Sequence, residues 1–163
     1  TADWINGSAS ARFSAFSGNT TLQSLWTQDH WKFAKGWNAT LGLRAEQWRA
    51  FGGQIGNAAS IQNLGERQET HFSPKAAVAY QASPLWALKA STGRAVRMPT
   101  ASELYQGGLN TSGTAIVNND PNLKPEKSWT TELSAERDLG NGVWRLTAFH
   151  EKTRDALYSQ TNF

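Results

Sequence analysis

Cysteine is absent from this chain of 163 residues, so neither a disulfide framework nor a thiolate metal site can form. No apolar run approaches the roughly 20 residues of a spanning helix, and no basic start is followed by an apolar stretch, so no signal peptide is visible. The first residues are Thr1-Ala2-Asp3-Trp4 without a methionine, which reads as a processed chain or an internal piece of a longer one. Charge of one sign is never concentrated. The net charge is +3, but Lys and Arg are scattered among Glu and Asp, which argues against a nucleic-acid partner. His30, His71 and His150 fall in separate segments without the helical spacing of a zinc protease. Glu132 and Glu136 share a strand face about 13 Å apart, too far for the carboxylate pair of a glycosidase. The glycines near Gly107 lack the spacing of a phosphate loop. No catalytic residue, metal-ligand set or cofactor is expected, and the chain does not read as an enzyme.

What the sequence does contain is period-two alternation and tryptophan. From Trp129 the odd positions read Trp129, Thr131, Leu133 and Ala135, and the even ones Thr130, Glu132, Ser134 and Glu136, which makes a strand with one apolar and one polar face. The same alternation marks Trp37 to Arg49, Thr70 to Gln81 and Leu85 to Arg97. Thr20 to Phe33 is dense in β-branched and aromatic residues, but its facing is ambiguous: Leu25, Trp31 and Phe33 share one parity, Leu22 and Trp26 the other. Residues 1 to 19, with Phe13 and Phe16, read as a loop running into this strand.

Connections sort into two kinds. Ala34-Lys35-Gly36, Ser83-Pro84 and Gly140-Asn141-Gly142 are tight turns, whereas Gly52 to Thr70 and Met98 to Ser128 read as long loops. The second loop ends in a proline-punctuated stretch from Asn119 to Ser128, with turn formers at Asn118, Asn119 and Asp120. The last hairpin pairs Trp129 to Leu139 with Val143 to about Tyr158. Pro74 inside a strand predicts an edge or a bulge. Short turns alternating with long loops, joined by strands of about 12 residues, suit a membrane barrel better than a sandwich of five- or six-residue strands. Eight tryptophans fit the same idea, since the ring favours membrane interfaces.

Several stretches resemble the TonB-dependent outer-membrane receptors, in the order that family uses. They are Leu25-Trp26-Thr27-Gln28-Asp29-His30-Trp31 with Ala39-Thr40-Leu41-Gly42-Leu43-Arg44; Phe72-Ser73-Pro74-Lys75-Ala76-Ala77; Gly93-Arg94-Ala95-Val96-Arg97-Met98-Pro99-Thr100 with Glu103-Leu104-Tyr105; and Asn122-Leu123-Lys124-Pro125-Glu126-Lys127-Ser128. The resemblance implies an all-β, antiparallel up-and-down meander of about six long strands, an incomplete part of a 22-stranded transmembrane barrel covering residues 1 to 163, with the plug domain, the other strands and the closing aromatic strand outside it. Phe163 then falls in a loop. It further implies a bacterial outer-membrane location and import of a scarce nutrient, a ferric siderophore or other metal chelate, with TonB engaged through the absent plug.

On that reading the apolar parity meets outer-membrane lipid, Trp37, Trp86 and Trp144 form the periplasmic girdle, and Lys89, Arg97, Glu132, Ser134 and Glu136 face the lumen. The resemblance nominates Arg97, Glu103 and Tyr105 as ligand contacts at the receptor mouth, against the plainer reading that they pin the loop to the barrel rim. Two alternatives stand beside transport of a chelate: a soluble β-sandwich or adhesin-like module, with its apolar face buried on a second sheet, and a passive porin.

Overall fold

The computed structural model describes residues 4–5, 7–9, 14–110, 112–117 and 120–157. Phe13, Asn118, Asn119, Tyr158 and the terminal Phe163 lie outside the described residues, and the last strand, expected to reach about Tyr158, ends at Arg154, where Asp155 takes a positive φ of 53°.

A short pair, β1 (Trp4–Ile5) and β2 (Ser8–Ala9), precedes the main sheet. That sheet is built from β3 (Ser14–Ala34), β4 (Trp37–Asn57), β5 (Ile61–Asn63), β6 (Arg67–Gln81), β7 (Trp86–Arg97), β10 (Glu126–Asp138) and β11 (Val143–Arg154). Between β7 and β10 lie a single helical turn, α1 (Ala101–Tyr105), and a two-stranded pair, β8 (Gly108–Leu109) with β9 (Ile116–Val117). The spatial order is β11-β10-β7-β6-β4-β3, with β5 added on β4 beyond β6. Every pairing is antiparallel. Each long strand therefore neighbours its sequence neighbour, as an up-and-down meander requires.

The three tight turns stand where expected, at Lys35-Gly36, between Gln81 and Trp86, and between Asp138 and Val143. Gly36 and Gly140 carry positive φ of 76° and 79°, a backbone region closed to most side chains. The long connections differ from expectation. Gly52 to Thr70 is mostly strand: β4 runs on to Asn57, β5 follows, and β6 begins at Arg67. The glycines hid this because they carry no alternation, yet backbone pairing needs none. Gly52 and Gly53 oppose the single Gly18, and Gly52 has φ of 63°, the signature of a glycine β-bulge. Likewise β3 starts at Ser14, within the stretch read as a loop, because Ser14 to Ser17 pair with the extended end of β4. Met98 to Ser128 holds a helix and a small β pair, and β10 already begins at Glu126.

Pro74 stands at a local edge rather than in a bulge, since β6 is paired there on the β4 side alone. It lies in β6, between β4 and β7, opposite Leu43, and the ladder with β7 stops at Lys75 opposite Gly93. A missing N–H costs nothing where the ladder has already ended.

Register decides the faces. Across β7, β10 and β11 one face carries the rows Leu88–Ala135–Leu146 and Ala90–Leu133–Ala148, and the other carries Lys89–Ser134–Thr147 and Ser91–Glu132–Phe149. The apolar face continues through Val78 and Tyr80 on β6, and Ala39, Leu41 and Leu43 on β4. On β3 the ambiguity resolves: Leu25 and Trp31 pair with Ala45 and Ala39 on the apolar face, and Leu22 and Trp26 belong to the other. Among the described residues no second sheet packs on the apolar face. Leu133 is 59% exposed and Leu146 60%, contrary to what a sandwich would show.

Candidate functional site

The buried residues of the chain gather on the polar parity, at the end of the sheet away from the tight turns. Trp48 and Ala50 project there from β4, and Leu104 and Tyr105 of α1 close over them, all four essentially buried. Leu64, Met98, Ala101 and Leu123 pack around the edge. The segment between β7 and β10 is thus folded back onto one face of the wall as a cap.

Local chemistry explains why the chain turns helical there. Thr100 is the N-cap of α1: its side-chain oxygen accepts the Glu103 N–H at 3.2 Å, while the Glu103 carboxylate accepts the Thr100 N–H at 2.8 Å. This reciprocal capping box is legible in Thr100-Ala101-Ser102-Glu103, and reading the stretch as a loop missed it. Arg97, the last residue of β7, donates from Nη2 to Glu103 Oε1 at 2.6 Å. Tyr105 fits because two glycines make room. A Cβ at Gly53 would stand 2.5 Å from Tyr105 Cε1, and one at Gly18 would meet the same ring.

Three further side chains, not singled out in the sequence, complete the cap. Arg67 spreads its guanidinium 5.4 Å from the centre of the Trp48 ring, donates to the Pro121 and Leu123 carbonyls at 2.9 and 3.0 Å, and reaches Glu69 at 2.8 Å. Glu69 also meets His71 at 3.0 Å. Arg67 therefore ties the proline-punctuated stretch to β6. Asn57 and Gln62 do the same for the β8–β9 pair, donating to Asn110 and Gly113 carbonyls at 2.8 and 3.0 Å. The only sequence signal for this was alternating charge on the polar parity of β6.

Of the three nominated mouth residues, Arg97 and Glu103 are engaged with each other and Tyr105 is only 3% exposed. Burial pushes the Tyr105 phenol above its ordinary value, against the opposing pull of Arg67. The Glu103 carboxyl is raised by burial but lowered more by the Thr100 N–H, Arg97 and the Thr100 hydroxyl, so it sits below the usual value. A carboxyl whose folded pKa is depressed adds stability that is complete above its unfolded value and is lost as pH falls through the folded one. Hydrogen exchange across Ala101–Tyr105 is accordingly expected to be insensitive to pH-driven opening from neutral down to mildly acidic conditions. Opening should increase below the usual carboxylate range, and Glu103→Gln should abolish that acid-dependent component.

Below the cap the same face is charged and open. Lys89, Glu132, Ser134 and Glu136 share it, as do Lys75, which lies across Gly42, and the Arg145–Glu136 pair at 2.6 Å. Glu46, 6% exposed, is satisfied by Arg44 at 2.9 Å and the Ser73 hydroxyl at 3.4 Å. A depression of about 490 Å³ opens here beside Trp26, Gln28, Arg44, Glu46, Ser73 and Lys75. On the opposite face, at the tight-turn end, Trp37 stacks on Tyr80 with ring centres 4.4 Å apart and Trp86 meets Trp144 edge-on at 6.4 Å.

The whole chain, residues 1–163, matches the family model described as TonB dependent receptor-like, beta-barrel. Two relatives from Vibrio cholerae serotype O1, each named iron-regulated outer membrane virulence protein, are similar to it. The El Tor strain's protein is 34% identical and the classical strain's 33% identical, over 115 residues. That match covers 69% of this chain and 17% of each relative. An open antiparallel meander, apolar on one face, charged on the other and ringed by aromatics at its tight turns, agrees with the whole-chain match: this chain belongs to the TonB-dependent receptor β-barrel family of the bacterial outer membrane.

Proposed function

We propose that this sheet is one arc of the barrel wall of a receptor that binds and imports a scarce nutrient, a ferric siderophore or other metal chelate, with energy delivered by TonB through a plug domain. The observation that carries the reading is the division of the two faces. The apolar face, with aromatics beside the tight turns, suits lipid, and the tight-turn end then faces the periplasm. The charged face with its depression suits a water-filled, plugged lumen, with Lys89, Glu132, Ser134 and Glu136 lining it. The names of the relatives support iron as the cargo. In this role the protein moves a solute without covalent chemistry. Arg97, Glu103 and Tyr105 act at the mouth by holding the cap in place, so that any chelate meets a preformed surface.

The test uses the full-length receptor in cells starved of iron, with uptake of radiolabelled ferric chelates measured with and without functional TonB. Accumulation that depends on both receptor and TonB is expected. Receptor-dependent uptake that persists without TonB would replace energised import with a passive porin, and no receptor-dependent uptake of any ferric chelate would remove iron as the cargo.

A further inference from the structure

The apolar face does not end in a neutral rim at the cap end of the sheet. Above the row Thr92–Thr131–His150 the register places Arg94–Trp129–Lys152, and above that Val96–Lys127–Arg154. Four cations from three adjacent strands thus stand together around one indole. Arg94, Trp129 and Lys127, with Ser128, Lys152 and Arg154, border a depression of about 270 Å³. Lys152 and Arg154 are exposed, Arg94 and Lys127 half-buried.

The carboxylates of these strands are on the other face. Glu126, Glu132 and Glu136 of β10 have the opposite parity, and Glu151 pairs with Thr130 on that same side. Arg97, Arg145, Arg67 and Arg49 each hold a carboxylate, whereas none of the four clustered cations has an ion-pair partner among the described residues. The Arg94 guanidinium donates to the Phe72 carbonyl at 3.2 Å. Four like charges gathered without a counter-charge among the described residues suit an anionic neighbour.

Height identifies the source of that anion. The Trp86–Arg137–Trp144 row marks the tight-turn end of the apolar face, and Arg94–Trp129–Lys152 lies eight residues further along β10. That is about 27 Å along the strand, or roughly 20 Å of depth at the usual tilt, close to the full height of an outer-membrane apolar band. The cations therefore stand where hydrocarbon gives way to headgroups on the long-loop side.

We propose that Arg94, Lys127, Lys152 and Arg154, with Trp129, form a binding site for the phosphate groups of the glycolipid of the outer leaflet. Trp129 packs on the acyl–sugar boundary, and the cations reach the phosphates laterally from the lipid side. This rests on the orientation of the wall proposed above, but not on what the receptor imports.

The experiment reads lipid retained by the purified full-length receptor after incubation with phosphatidylcholine vesicles containing bis-phosphorylated lipid A. Each cation near a charged surface contributes about fivefold in affinity, so Lys127→Gln with Lys152→Gln should lower retention about 25-fold. Replacing Lys32 and Lys35, at the opposite end of the sheet, removes the same charge and should change nothing. Dephosphorylated lipid A should not be retained by the unaltered receptor. If the double variant fails to assemble, Lys127→Gln and Lys152→Gln singly should each show about a fivefold loss. Full retention by the variants, equal loss in the Lys32 and Lys35 control, retention of dephosphorylated lipid A, or equally tight capture of free inorganic phosphate would each overturn the proposal.

Discussion

Leu133→Arg in the full-length receptor is expected to cost about 2–4 kcal/mol of barrel stability, whereas Ser134→Arg next to it should cost little. The two positions are adjacent on β10 and differ only in face. Leu133 lies in the apolar row Ala90–Leu133–Ala148, midway between the Trp86 and Trp129 rows, and Ser134 lies between Lys89 and Thr147. A guanidinium at mid-depth on the lipid side has neither water nor a counter-ion, while on the other side Glu132 and Glu136 stand nearby. Urea titration of the receptor folded in lipid vesicles measures the difference directly. Equal penalties at the two sites would mean that the apolar parity does not face lipid.

The second large effect concerns the cap. Leu104 and Trp48 are completely buried, and truncating a buried leucine costs about 2–5 kcal/mol through lost burial and an unfilled cavity. Because the cap packs on the wall without sharing its ladders, Leu104→Ala should be felt locally. Hydrogen exchange from Ala101 to Leu123 should accelerate by about 30-fold to several thousand-fold on that energy scale, with the β6–β7–β10 ladders unchanged. Gly53→Ala attacks the same packing from the wall side, since its added methyl would stand 2.5 Å from the Tyr105 ring, and overpacking of this kind costs about 1–3 kcal/mol. Unaltered exchange in both variants would show that the cap is held by its polar ties, such as Arg67 to Pro121 and Leu123, rather than by its apolar contacts.

The two expectations divide along the line between local and long-range information. Alternation in Trp37 to Arg49, Leu85 to Arg97 and Trp129 to Leu139, with three tight turns, was enough to set strand order, facing and antiparallel pairing, because a side-chain period of two fixes the face and a two- to four-residue turn fixes the neighbour. Pattern reading failed where side chains stop reporting on the backbone. The glycines and small polar residues of 14–19 and 50–57 extend β3 and β4 through mutual pairing, and the bulge at Gly52 inverts the parity there, so Ile55, at an odd position, is as buried as Trp48 and Ala50.

The sequence by itself determined the kind of wall this is: a meander with one apolar face and one charged face, because that follows from alternation and turn chemistry strand by strand. Only the tertiary structure decided what happens between the strands' far ends. Whether Tyr105 meets a ligand or a pair of glycines depends on residues 87 and 52 positions earlier in the chain, Gly18 and Gly53, and no local pattern encodes a contact of that separation. The same holds for the four cations on the outer rim, which are scattered singly from Arg94 to Arg154 and become neighbours only through register.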